Sequence, residues 1–254
     1  MNYYIITGTS SGIGEAIARK LLMPGNTIFA TSRSMNTDLV ELANSLELPL
    51  FYHQTDLSLG EKAESFIREV FNKIDLNLSD RIALINNAGM LEPMAQLETI
   101  DRALLETHFH LNILAPMILS SAFIAATQSL PVPKIILNIS SGAAFTPISG
   151  WSAYCTSKSA LDMFTRVVGL EQSTAINPVK IFALAPGIIE TNMQRQIREK
   201  DRRLFPEKDT FVKLYEQGRL VKPDKVAQII VNKLFDEKIE NGAVITIEQL
   251  KSME

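Results

Sequence analysis

The stretch Tyr3–Gly14, YYIITGTSSGIG, runs a short apolar strand directly into a turn carrying three glycines. The turn opens a helical pattern over Gly12–Leu22, with apolar residues at three- and four-residue spacing. Glycine permits a tight bend and close backbone approach. The helix N-terminus behind it offers free N–H groups and a positive dipole to a pyrophosphate. Gly8, Ser10, Ser11, Gly12, Ile13 and Gly14 are therefore candidate cofactor-binding residues. The spacing is GxxxGxG rather than the commoner GxGxxG. Taken alone, such a turn also allows a purely structural reading.

Outward from this turn the chain repeats the same alternation. Strand-like runs fall at Tyr3–Thr7, Thr27–Thr31, Leu50–His53, Ile82–Asn86, Lys134–Ile139, Val179–Ala185 and Ala243–Ile247. They are continuous apolar runs, as expected of strands covered on both faces. Helical spacing marks Asp38–Leu46, Glu61–Ile74, Ile100–Gln128, Ala153–Thr174 and Pro223–Phe235. The pattern predicts an α/β fold: a Rossmann-type, doubly wound parallel sheet of about seven strands with helices on both faces, in a single domain over 1–254. One region breaks the rhythm. Residues 187–222 are long, polar and charged. They read either as a substrate lid or as a pair of solvated surface helices.

Composition excludes several classes. The 254 residues are 46% apolar and 21% charged, with a net charge of −3, which gives no reason to expect a nucleic-acid partner. Cys155 is the only cysteine, so no intrachain disulfide is expected, which fits a reducing, cytoplasmic setting. Three histidines and one cysteine without ligand spacing predict no metal site. No secretory leader and no membrane span are expected.

The end of the second strand bears on cofactor choice. An acidic residue about 20 positions past the glycine turn would bond the ribose 2′-hydroxyl of NAD. Here the strand ends Ala30-Thr31-Ser32-Arg33-Ser34. Ser32 offers a hydroxyl and Arg33 a guanidinium suited to the 2′-phosphate of NADP. Asp56 either accepts a bond from the adenine amino group or caps the helix that follows.

Five motifs now occur in order: Gly8-x-x-x-Gly12-x-Gly14, Asn86-Asn87-Ala88-Gly89, Asn138-Ile139-Ser140-Ser141, Tyr154-x-x-x-Lys158 and Pro186-Gly187. Together they resemble the short-chain dehydrogenase/reductase family over nearly the whole chain. INNAGMLEPM, LNILAPM, NISSGAA, GWSAYCTSK and APGIIETNM look like its benzil reductase and sepiapterin reductase branch of carbonyl reductases. The resemblance implies Asn112, Ser141, Tyr154 and Lys158 as catalytic residues, with Asn112 holding a proton-relaying water. It implies Asn87, Ala88 and Gly89 beside the adenosine ribose and Thr191 at the nicotinamide carboxamide. Asp56, Leu57, Pro186, Gly187, Ile189 and Met193 complete the implied cofactor set.

The residue types suit ketone reduction, in which a nicotinamide supplies hydride and the protein supplies the proton. Residues four apart share a helix face, so Lys158 can sit beside Tyr154, where an ammonium lowers a phenol's pKa. Ser141 can donate to the substrate carbonyl. Trp151 is expected to line the substrate pocket, with packing at the helix start as the alternative. Met94, Ile148, Ile188 and Met193 are expected to border an apolar cleft. Cys155, His108 and His110 are expected to be structural or at the surface. The chain end lacks the Val-Asp-Gly-Gly segment of many family members, which favours a homodimer over a tetramer. The expected function is an NADPH-dependent carbonyl reductase acting on a small ketone or benzil-like 1,2-diketone. A pteridine-type reductase, with Glu190 as its acidic grip, and a non-catalytic NADP sensor are the alternatives.

Overall fold

The computed structural model describes residues 1–253. Seven strands form one sheet: β1 (Asn2–Thr7), β2 (Asn26–Ser32), β3 (Leu50–Gln54), β4 (Arg81–Asn86), β5 (Lys134–Ile139), β6 (Lys180–Ala185) and β7 (Ala243–Thr246). Their order is β3-β2-β1-β4-β5-β6-β7, and every pairing is parallel. The order reverses between β1 and β4. Ligands bind at such a switch point, outside the carboxyl ends of the strands.

The helices are α1 (Gly12–Leu21), α2 (Thr37–Ser45), α3 (Gly60–Phe71), α4 (Arg102–Phe109), α5 (Ala115–Thr127), α6 (Ser152–Gln172), α7 (Asn192–Glu199), α8 (Lys208–Glu216), α9 (Pro223–Lys233) and α10 (Ile247–Ser252). Successive strand residues face opposite ways. Ile6, Ala30, Ile85, Leu137 and Leu184 therefore pack with Ile17, Leu21, Val226 and Ile230 on one face. Ile5, Phe29, Leu84, Ile136 and Ile181 pack with Phe66, Leu119, Phe123 and Val168 on the other.

Two readings need correction. The helix predicted over Ile100–Gln128 is two helices joined by one π turn, His110–Leu114. Pro116 has no N–H, so the carbonyl of Asn112 lacks its ordinary donor four residues on, and the ladder shifts there. The stretch Arg102–Thr127 is long and apolar enough to cross a membrane by length and composition alone, a test that a buried core helix also passes. In the fold it buries Leu111, Leu119 and Phe123 against the sheet. Finally, α10 was not predicted. Its signal is the capping box Thr246-x-x-Gln249, in which both reciprocal bonds form.

Candidate active site

The glycine turn is built so that side chains are excluded. Gly8 and Gly12 have φ of +72° and +68°, a region L side chains rarely adopt. A Cβ on Gly14 would lie 2.3 Å from the Gly8 carbonyl oxygen and 2.4 Å from Asn87 Nδ2. Asn87 braces the turn: its Nδ2 donates to the carbonyls of Thr7 (3.0 Å) and Gly8 (3.1 Å). Asn36, which sequence reasoning missed, donates to the carbonyls of Thr9 and Ser10 and caps α2 through Leu39 N.

At the end of β2, Ser32 Oγ donates to the Ser34 carbonyl (2.7 Å) and also contacts the Tyr52 hydroxyl. Its hydroxyl is thus already engaged. Arg33 is exposed and makes no ion pair or hydrogen bond among the described residues. Asp56 accepts from Ser58 N and Ser58 Oγ at 2.9 and 2.7 Å. It closes a turn ahead of α3 and is not that helix's cap, since α3 begins at Gly60 behind Leu59.

The catalytic candidates converge from the loop after β5, from α6 and from the π turn. Tyr154 and Lys158 are 6% and 5% exposed, one turn apart on α6. Lys158 Nζ donates to the Ile139 carbonyl at 2.8 Å and sits 5.8 Å from the Tyr154 ring centroid. Ser141 lies two residues past β5, accepts from Ala143 N and lies beside the phenol. Asn112 is fully buried. Its Oδ1 accepts from Met90 N and its Nδ2 donates to the Met90 carbonyl, both at 2.9 Å. Its amide therefore ties the loop after β4 to the π turn, the structural reading of this residue. Its carbonyl is the group freed by Pro116.

The electrostatics reverse one expectation. Burial pushes the Tyr154 phenol up to about 12, although the Ser141 hydroxyl pulls it down. Burial also pushes the Lys158 amine down to about 8, against the pull of Asp162. The phenol therefore stands above its ordinary value, with burial the largest cause. At neutral pH Tyr154 holds its proton, the state an acid needs before it donates.

Several residues at the site carried no clear sequence signal. His108 is fully buried and bonds the Glu92 carbonyl through Nδ1 (2.7 Å) and Ser157 Oγ through Nε2 (2.9 Å). Ser157 also donates to the Tyr154 carbonyl. Beside the phenol lies an apolar cluster of Leu91, Met94, Ala143, Trp151, Ile197 and Phe205. Ile148, Cys155, Met193 and Phe211 pack against it, so Met94, Ile148 and Met193 stand where expected, whereas Ile188 stays partly exposed. Trp151 stacks on Phe205 (5.0 Å between centroids), meets Tyr154 edge-on (5.3 Å), and leaves its buried Nε1–H without a partner. Phe205 and Phe211 come from the polar 187–222 segment, which leaves and rejoins the body at one bridge, Ile189 to Val221. A Lys200–Glu92 ion pair of 2.6 Å adds a second tie. Thr191 caps α7 and packs against the glycine turn, its Cγ2 3.2 Å from where a Gly12 Cβ would stand.

These motifs match the family described as short chain dehydrogenase, over residues 2–202. The chain belongs to the short-chain dehydrogenase family. It is similar to the benzil reductase ((S)-benzoin forming) of Bacillus cereus, with 43% identity covering 98% of this chain and 100% of that one. The sepiapterin reductase of Meriones unguiculatus is 31% identical, over 94% of this chain and 93% of its own length. The crystal structure of the KRED1-Pglu enzyme superposes with a TM-score of 0.83 at 26% identity, covering 96% and 100% of the two chains. As a member of this oxidoreductase family the chain is expected to hold a nicotinamide cofactor, and its residues fit one. Among the described residues, the Ser11 side chain makes no cap bond at the start of α1, Arg33 has no partner, and Lys158 Nζ makes one hydrogen bond of the three it can donate.

Proposed function

We propose that this protein is an NADPH-dependent carbonyl reductase that acts on small apolar ketones and benzil-like 1,2-diketones. The observation that carries this reading is a buried Tyr154 that packs within an apolar, aromatic cluster beside Ser141. The 43% identity to a benzil reductase supports the substrate class. The bound cofactor would supply the hydride. Ser141 orients the substrate oxygen, and Tyr154 Oη gives it a proton. Lys158, charged below about pH 8, stabilises the phenolate left behind. The Asn112 carbonyl is the acceptor for a proton-relaying water. Ser10, Ser11 and the other glycine-turn residues, with Asp56, Leu57, Asn87, Ala88, Gly89, Pro186, Gly187, Ile189, Thr191 and Met193, form the dinucleotide site. Residues 187–222 act as a lid, closed by Phe205 on Trp151.

The reading is tested by following NADPH oxidation with benzil, an aryl monoketone and a pterin, with NADH in parallel. Turnover of the pterin alone would reject it. Against a pterin grip, Glu190 lines a separate cavity of about 260 Å³ with Ser11, Gly12, Arg195 and Arg198, and stands outside the apolar cluster.

Arg33 carries the cofactor preference. Arg33→Ala is expected to raise KM for NADPH roughly 10- to 100-fold, the worth of one charge-assisted bond. KM for NADH should barely move, and equal effects on both reject the phosphate contact. Trp151 carries the diketone preference, because its unpartnered indole N–H suits a second carbonyl. Trp151→Phe keeps the ring packing and removes the donor. It is expected to raise KM for benzil about 5- to 10-fold, as loss of one neutral hydrogen bond does, and to leave the monoketone unchanged. A parallel rise for both ketones assigns Trp151 to packing.

A homodimer is supported by apolar side chains left exposed on α5 and α6, among them Met117, Met163, Val167 and Leu170. Sedimentation at micromolar concentration reads this directly, and a monomer rejects it. The same reading places the protein in the cytoplasm, in keeping with its single free thiol, and fractionation of source cells tests that.

A further inference from the structure

Lys158 has a neighbour that the reduction chemistry leaves without a role. Asp162 lies one turn further along α6, on the same face, and is 5% exposed. Neither carboxyl oxygen has a hydrogen-bond partner. Ser140 Oγ lies beside the carboxyl, but it lacks hydrogen-bond geometry and is itself buried without a partner. A buried carboxyl left in this state is costly and needs an explanation. Burial pushes this carboxyl up from its ordinary range, and Ser140 and two charged neighbours on α6, Lys158 and Arg166, pull against that. From the end of β5 the polar group facing it is Ser140, and Ile139, the residue before it, holds Lys158 Nζ. From α4 the titratable group near Lys158 is His108, which burial keeps neutral, and on α6 itself it is Tyr154. Among the described residues, Asp162 is the one acid whose charge acts on Lys158.

We infer that Asp162 is a positioning residue for Lys158: its buried carboxylate is the counter-charge that keeps Nζ an ammonium at the end of β5 through the working pH range. The inference rests on the role given to Lys158 in the proposed reduction. Its physical content is separate, because a buried amine loses its proton more easily when the only nearby anion is removed. The sign follows from that. Lys158 is charged below about pH 8 and neutral above it. Without Asp162 that midpoint moves to lower pH, and the alkaline fall in rate moves with it.

The test reads Lys158 directly. The protein is made with ¹³C-lysine, the Lys158 Cε signal is assigned by its loss in Lys158→Met, and its shift is followed from pH 6 to 11. Asp162→Asn is expected to lower the midpoint by about one unit, and Asp162→Glu to leave it near the wild-type value. Asp162→Ser provides the same reading if the asparagine amide is not accommodated. An unchanged or raised midpoint in the uncharged variants overturns the inference. In parallel, the alkaline limb of kcat/KM for benzil should move down by the same amount in Asp162→Asn. A shifted Lys158 midpoint with an unmoved rate profile would keep the pairing and reject the role of Lys158 in the reduction.

Discussion

Tyr154→Phe leaves the fold and dinucleotide binding intact and lowers kcat by about 10²- to 10⁴-fold, the usual worth of a positioned general acid. The ring is held by edge-on contacts with Trp151 and His108 and by burial in the apolar cluster, none of which involves the hydroxyl. Phenylalanine therefore occupies the same space. What is lost is the only group in the cluster that holds a proton beside Ser141 and can part with it. The resting phenol, pushed up to about 12, is a full donor at neutral pH, and its conjugate base is costly to make in a buried site. Lys158 offsets that cost only after the proton has left. The check is kcat from NADPH oxidation with benzil, beside the dissociation constant for NADPH from fluorescence. Retained turnover sinks the mechanism. Lost turnover with lost binding would instead show that Tyr154 holds the site together.

The parts of this site legible in the sequence are those whose chemistry needs fixed residue types at fixed spacing. The glycine turn, the Tyr154–Lys158 pair and the alternation of strands and helices all follow from short-range rules. The misses have physical causes too. A single proline, Pro116, splits a helix whose apolar spacing reads as continuous, and leaves a π turn at Asn112. The polar composition of residues 187–222 hides Phe205, which is fully buried on Trp151, because a few aromatics scattered among charges carry no clear periodic signal. The phenol's pKa was misjudged because spacing shows that Lys158 is near and says nothing about how far both are desolvated. Asp162 reads as an ordinary polar residue on a long helix. Only the packing of α6 against the end of β5 buries it beside Lys158.

Gly14→Ala, the smallest substitution available, is expected to damage the protein more than its size suggests. The added methyl would lie 2.3 Å from the Gly8 carbonyl oxygen and 2.4 Å from Asn87 Nδ2. Neither neighbour is the loose end of a flexible side chain. The carbonyl belongs to a turn whose φ angles only glycine tolerates well, and the Asn87 amide is pinned by its bonds to Thr7 and Gly8. Relief requires α1 to move away from β1, which breaks those bonds and shifts the helix N-terminus from the place a pyrophosphate would occupy. Overpacking of this kind costs about 2–3 kcal/mol, which in a chain of this size lowers Tm by roughly 4–12 °C. NADPH affinity should fall at least about 100-fold, since the helix-terminal N–H groups act together and each is worth roughly 1.5–3 kcal/mol to a charged partner. The control is Gly60→Ala at the start of α3, where the nearest atom to the new methyl is Ile118 Cδ1 at 3.9 Å. There alanine should be neutral or raise Tm slightly through its better helix propensity. Calorimetry and NADPH titration on both variants separate the cases. If Gly14→Ala keeps wild-type Tm and affinity, the turn is not the rigid cradle described, and the dinucleotide site must be placed elsewhere. If it loses Tm but keeps affinity, the close packing is real and the phosphate role of the turn is wrong.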